Sequence, residues 1–343
     1  MSDLRPSGNE RDGAAELLAS AHLRVSAAAA DLALPAALRL TEWQRITVRG
    51  LLARLVRSVE DELRATLSQG NGADALQAAL SSAHVEIAMP VLAGTQALAE
   101  PTLIGLLLRR AEEHRLQRGV QSDNALLVEL AGDSDEDIAA AAMALLIAQN
   151  GRLDGFREPV LPRSDLPAEL EHHLVWTVAA ALRCYMVGRH GAEPAACDAA
   201  LSAAAGSLLA RHDEGESAEA RAMRLALAIR AGGREAEDSL LARSLTEGSL
   251  SLFLALLALR TDVEPGAAWE LLSARGGAVL LLRSAGCARR EAAAILLALA
   301  TAEAELRAAL DRFDGLSDVS ARALLGLWTV DPGYRAAVQR LQA

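Results

Sequence analysis

Between residues 42 and 68, apolar side chains return at spacings of three and four: Val48, Leu52, Val56, Val59, Leu63 and Leu67. That rhythm matches the 3.6-residue turn of an α-helix and excludes a strand, whose period is two. Leu51 and Leu55 widen the stripe, while Arg49, Arg57, Asp61 and Arg64 fall away from it, so the helix is amphipathic. Thr41 followed three residues later by Gln44 forms a capping box that sets the first helical residue at Glu42. Gln69-Gly70-Asn71-Gly72 then stops the helix after Ser68. A helix of about 27 residues is long by globular standards. Its length predicts that the stripe is the spine of an antiparallel pair, with a homodimer seam along the same six residues as a secondary reading.

Helical periodicity continues through the rest of the chain. Residues 1–13 read as a disordered tail and 14–33 as a first helix. Short helices are expected over 73–82, 84–93, 100–110, 122–130 and 135–149. Pairs of them recur at roughly twenty-odd residues, the spacing of HEAT-like hairpins. Residues 150–167, with Pro159, Pro162 and Pro167 and little periodicity, read as a domain boundary. The expected organisation is therefore a tail (1–13), a helical pair with HEAT-like repeats (14–155) and a C-terminal helical domain (156–343). Asp165 is expected to cap a helix over 166–188. Further helices are expected over 194–211, 218–231, 236–246, 249–259, 265–274, 278–284, 289–300, 302–313, 317–328 and 331–341. Nowhere do four residues alternate with β-branched enrichment, so no sheet is expected. The fold class is all-α: an N-terminal long-helix pair plus HEAT-like helical hairpins, followed by a C-terminal helical domain.

Composition enters through what it excludes. All 34 cationic residues are arginine. Without lysine there is no P-loop, no kinase phosphate-binding lysine and no Schiff-base amine. The formal net charge of −11 argues against a broad nucleic-acid surface. Arginines interleave with acids, as in Arg57–Asp61 and Glu60–Arg64, which read as solvated i,i+4 pairs. The doublets Arg109–Arg110 and Arg289–Arg290 read as surface charge. Gly70 to Ala75 fits G-x-G-x-x-A but follows a helix, where it is a stop rather than a nucleotide loop. Asp133-Ser134-Asp135-Glu136-Asp137 opens like a calcium loop, yet Ile138 and Ala144 occupy its sixth and twelfth positions, so the ligand set fails.

Cys184, Cys197 and Cys287 form no C-x-x-C, which suits buried thiols in a reducing, cytoplasmic setting. Leu250–Leu259, the most apolar stretch, is too short to span a bilayer, and no membrane insertion is expected. The four tryptophans read as core anchors. Neighbouring residues on a helix point about 100° apart, so His172 and His173 do not converge on a metal. Together with His212, which precedes Asp213, they are the candidate phosphoacceptors of an alternative reading, a histidine-phosphotransfer-like bundle.

Two stretches resemble the bacterial family called domain of unknown function 2336, found largely in alphaproteobacteria. Leu106–Leu130 is similar to its helical repeat, with Glu113-His114 matching an E-H pair that precedes a leucine-rich helix. Glu247-Gly248-Ser249-Leu250-Ser251-Leu252-Phe253, Leu280–Ala300 with its Leu-Leu-Arg-x-x-Gly segment, and Asp331-Pro332-Gly333-Tyr334-Arg335 resemble later family motifs. The resemblance spans about residues 40–341. It implies a helical bacterial protein with no established catalytic residues to carry over.

No catalytic, cofactor-binding or metal-binding residue is therefore assigned. The expected function is a non-enzymatic cytoplasmic adaptor or regulator that binds another protein. Alternatives are the phosphotransfer bundle and a small-molecule sensor with a pocket between the helical domains. A HEAT-like DNA-repair enzyme would need a basic concave face, which the acidic balance disfavours.

Overall fold

The computed structural model describes residues 39–341, apart from 69–85, 94, 121–123, 235–238, 248, 275, 301, 327, 332, 335–336 and 339–340. The expected tail, the helices over 14–33 and 73–82 and the glycine turn at 70–75 lie outside the described residues, as does much of the expected helix over 331–341. Among the described residues there are 15 α-helices and no strand. The one β-type pairing among them is an isolated antiparallel bridge between Leu153 and Pro159. The chain is all-α.

The helices are α1 (Glu42–Ser68), α2 (Ala88–Leu92), α3 (Pro101–Val120), α4 (Ala125–Ala131), α5 (Glu136–Asn150), α6 (Ala168–His190), α7 (Pro194–Leu209) and α8 (Ala218–Ala231). They continue as α9 (Leu240–Thr246), α10 (Leu250–Thr261), α11 (Pro265–Ser273), α12 (Gly277–Ser284), α13 (Arg289–Leu299), α14 (Glu303–Gly315) and α15 (Asp318–Leu325). The capping box before α1 is formed: the Thr41 N–H donates to Gln44 Oε1 at 2.7 Å and the Gln44 N–H to Thr41 Oγ1 at 3.2 Å.

Residues 48–343 make one compact unit with two apolar clusters. The first joins α1, α2, α3, α6 and α7 through residues such as Leu55, Leu63, Leu107, Leu174, Leu182 and Leu208. The second joins α4, α5 and α8 to α15 around α10, in which every residue from Leu250 to Ala258 is buried. The clusters interleave along the chain, since α4 and α5 of the second lie between α3 and α6 of the first. A boundary at 155/156 would cut both, so it does not separate two cores.

The α1 stripe is consumed inside the chain. Val48, Val56, Val59, Leu63 and Leu67 are buried in the first cluster, and Leu52 packs against it partly buried. A homodimer seam there would need apolar surface that is already covered. Two of the expected solvated pairs also differ. Arg57 pairs with Glu86 rather than Asp61. Glu60 does pair with Arg64 at 3.0 Å, but it is only 1 % exposed. The Glu60 carboxylate accepts the N–H groups of Ile87 and Ala88 at 3.1 and 2.8 Å, satisfying donors at the start of α2 that the helix itself leaves free.

The segment between α5 and α6 is a joint rather than a linker. Leu161 and Leu166 are buried in the first cluster. Its carbonyl groups are held by arginines: Arg54 Nη2 donates to Pro159 O at 2.8 Å, Arg110 Nε to Val160 O at 3.0 Å and Arg110 Nη2 to Arg152 O at 2.7 Å. Asp165 does not cap α6, whose N-cap position is Pro167. It accepts instead the Ala218 N–H at 2.9 Å, capping α8 from outside the helix.

Candidate functional site

The densest polar chemistry is buried under α3. Arg109 and Arg110 were expected on the surface, yet Arg110 is 2 % exposed and Glu113 3 %. Glu113 Oε1 accepts from Arg109 Nε at 2.9 Å and Oε2 from Arg152 Nη1 at 3.1 Å. Arg152 Nε donates to Asp165 Oδ2 at 2.7 Å, and Arg109 Nη2 to Glu219 Oε2 at 2.7 Å. The Arg109 guanidinium also lies 5.9 Å from the centre of the Trp269 ring. Five elements thus meet at one charge network: α3, the α5–α6 segment, α8, α10 through Ser251 Oγ, and α11 through Trp269.

The network is electrostatically uneven. Burial acts to raise the Glu113 carboxyl, but Arg152, Arg109 and Arg110 outweigh it and hold the group below its ordinary value. Burial likewise opposes the charge on Arg152, while Asp165 and Glu113 drive it upward. Arg110 is the exception. Burial, then repulsion from Arg152, pulls it down to about 10. Its nearest carboxylate oxygen, Glu113 Oε2, is 3.9 Å away, and its Nη1 is buried without a hydrogen-bond partner. Arg110 remains protonated at neutral pH, with its charge only partly compensated.

Two cavities flank this arginine. The first, about 590 Å³, is lined by Arg109, Arg110, Glu113, Arg152, Asp165 and Glu219 among others. Arg109 is paired there with Glu113 and Glu219, and Arg152 with Glu113 and Asp165, and the arginines stay charged at neutral pH. The second, about 680 Å³, lies between α3, the end of α5 and the loop at 153–158. Among the described residues Arg110, Arg118 and Arg157 line it against one carboxylate, Glu158. His114 lines it too; the residue is 5 % exposed and its Nε2 has no hydrogen-bond partner. Burial first, then Arg110 and Arg118, hold the imidazole below its ordinary value.

The histidines singled out from the sequence are not gathered. His172 and His173 are exposed on α6, where His172 Nε2 accepts from Trp176 Nε1 at 3.0 Å and His173 Nε2 lies 3.4 Å from Ala97 O. His212 Nε2 sits 3.1 Å from Leu166 O, on a different segment. Trp43 and Trp176 are exposed at 39 % and 37 %, so they are not the core anchors expected, whereas Trp269 and Trp328 pack against the larger core. Among the described residues no group of three or more His, Cys, Asp or Glu is placed to hold a metal ion, and no helix is long and apolar enough to cross a membrane.

The later motif stretches have structural roles. Ser249 Oγ accepts the Leu252 N–H at 3.3 Å at the head of α10, and Gly286 ends α12 with φ +69°. Arg283 Nε donates to Leu316 O at 2.6 Å, and its guanidinium lies 5.0 Å from the centre of the Phe313 ring. The DUF2336 family model, described as an uncharacterised protein conserved in bacteria, matches residues 121–326. That is more than half of the chain, which therefore belongs to this bacterial family. The match is narrower than the resemblance over 40–341 and leaves Glu113-His114 ahead of it. No curated protein and no solved structure matches the chain.

Proposed function

We propose that the chain is a non-enzymatic regulator that works by binding another protein through the outer face of the α4–α5 hairpin. The observation behind this reading is that α5 is apolar on both sides. Ile138, Ala142 and Leu145 are buried in the core. On the opposite side Ala140, Met143 and Ile147 follow one another at spacings of three and four, with Met143 47 % and Ile147 60 % exposed. Val128, on the adjoining α4, is 59 % exposed. A helix that only covers a core carries polar residues outward, and contiguous exposed apolar surface marks a binding face. Methionine suits such a face because its flexible thioether adapts to the partner. The paired arginines and carboxylates under α3 are scaffolding in this reading.

The test is affinity capture from a lysate of the source bacterium with the native chain and with a Met143→Glu/Ile147→Glu double variant. Both sites are exposed, so the variant should keep the native circular dichroism. A protein held by the native chain, lost with the variant and bound again when purified supports the reading. Identical captured sets would remove it.

A further inference from the structure

We propose that the second cavity, between α3, the end of α5 and the loop at 153–158, binds the phosphate group of a small molecule. The reading does not depend on the protein-binding face of α5. The residues that carry it are Arg110, His114, Arg118, Phe156 and Arg157.

The first support is an unmatched cationic lining. In a chain of net charge −11 this cavity gathers, among the described residues, three arginines against a single carboxylate. By contrast Arg152 is matched by Asp165 and Glu113, and Arg163 by Glu171 and Glu62. Arg118 and Arg157 have no ion-pair partner among the described residues.

The second support is independent of net charge. Two polar side chains more than nine-tenths buried line the cavity and keep a buried nitrogen without a partner, Arg110 at Nη1 and His114 at Nε2. Buried polar atoms are nearly always paired, and each one left alone costs free energy that a ligand or water can recover. Arg110, His114 and Arg118 recur at four-residue spacing, so α3 presents them along one face. An anion over that face would compensate the one arginine of the network that lacks a carboxylate in hydrogen-bond contact. Guanidinium groups match the oxygens of a phosphate in forked geometry.

The rim adds a requirement on the rest of the ligand. Phe156 is 90 % exposed. Its loop is shaped by Asp154, whose Oδ1 accepts the N–H groups of Phe156 at 2.8 Å and Glu158 at 2.9 Å. Arg157 sits in the left-handed region at φ 63°, a conformation that costs a non-glycine residue energy unless its surroundings hold it there. A bare ring beside a cationic pocket suits a flat ring attached to the phosphate, as in a nucleotide.

The experiment is isothermal titration calorimetry on the full chain, at constant ionic strength in chloride, with inorganic phosphate, adenosine 5′-monophosphate and uncharged adenosine as probes. The nucleotide is expected to bind at or below about 1 mM, the weak end of specific affinity. Arg118→Ala and Arg157→Ala should each weaken it about tenfold, in line with losing one charge-assisted contact. Phe156→Ala should weaken the nucleotide and leave phosphate unchanged. Phosphate bound as tightly as the nucleotide would support the site with the free ion as ligand. His114→Gln, which keeps a polar side chain at the buried position, tests the imidazole without emptying the site and should also weaken binding. The proposal fails if neither phosphate species binds, if adenosine binds as tightly as its monophosphate, or if an Arg118→Ala/Arg157→Ala double variant binds like the native chain.

Discussion

Replacing Glu113 by glutamine tests whether the charges under α3 hold the molecule together. Glutamine keeps the size of the side chain and one acceptor oxygen but removes the negative charge. Glu113 is within 2.9 Å of Arg109 Nε, 3.1 Å of Arg152 Nη1 and 3.9 Å of Arg110 Nη1. After the substitution Arg109 retains Glu219 and Arg152 retains Asp165, but Arg110 retains no carboxylate within ion-pair distance. Removing one partner from a buried pair costs about 3–5 kcal/mol because the remaining charge stays out of water. Urea unfolding at pH 7 should show a loss of that size with an unchanged slope.

The loss should also depend on pH. The folded-state value of Glu113 lies below its ordinary 4.5, so the carboxylate contributes its full stability above that value. The contribution fades as pH falls through the lower folded-state value, and the two proteins should converge there. Glu303→Gln is the control. Glu303 pairs with Arg307 at 2.7 Å with both side chains mostly exposed, and it should leave the unfolding midpoint in place. A Glu113→Gln loss below about 1 kcal/mol, or one unchanged in acid, would refute the electrostatic account.

Two further predictions concern packing. A Cβ at Gly277 would stand 1.9 Å from Leu271 O, where α12 begins against the end of α11. Gly277→Ala should therefore cost about 1–3 kcal/mol, whereas Gly206→Ala, with nothing within 4 Å of the new methyl, should be neutral or stabilising; equal effects in thermal melts would contradict this packing. Of the thiols, Cys184 is exposed while Cys197 and Cys287 are buried, and burial followed by Glu291 pushes Cys287 up to about 11. An aromatic disulfide reagent at neutral pH should label Cys184 quickly and the other two only on unfolding; rapid labelling of all three would overturn that placement.

The helices were legible because the signals that form them are local. Thr41 and Gln44 cap α1 across three residues, Pro194 starts α7, Ser217 caps α8, and the apolar stripes run at the helical period. The position of a charge in the core was not legible, because an i,i+4 pair reads alike whether buried or solvated. Arg109 and Glu113 carry that spacing, yet their further partners, Glu219 and Arg152, approach from α8 and from the α5–α6 segment. Asp165 stands beside the start of α6 and caps α8 because packing brings the Ala218 N–H to it. The second cavity was hidden for the same reason. Its residues come from α3, the end of α5 and a loop, and only the recurrence of 110, 114 and 118 was available as a local signal.

The proline-rich segment gives a physical account of the arginines that surround it. Pro159, Pro162 and Pro167 supply carbonyl oxygens and no N–H groups. A buried joint containing them has more acceptors than backbone donors, and the deficit must be met by side chains. Arg54 and Arg110 meet it at Pro159, Val160 and Arg152. Arg221 likewise donates to a backbone carbonyl outside the joint, Ala144 O in α5, at 2.7 Å. A guanidinium has five donors in a rigid plane and can reach two carbonyls at once while staying charged in a partly dry site; an ammonium group is more strongly hydrated and acts as a point charge. Arginine at these positions therefore serves the backbone first and the carboxylates second. Arg110 shows the consequence. Its Nε and Nη2 are committed to the joint, which holds Nη1 buried without a hydrogen-bond partner, 3.9 Å from the Glu113 carboxylate. The same stapling that fixes the fold there leaves a cationic group in need of an anion.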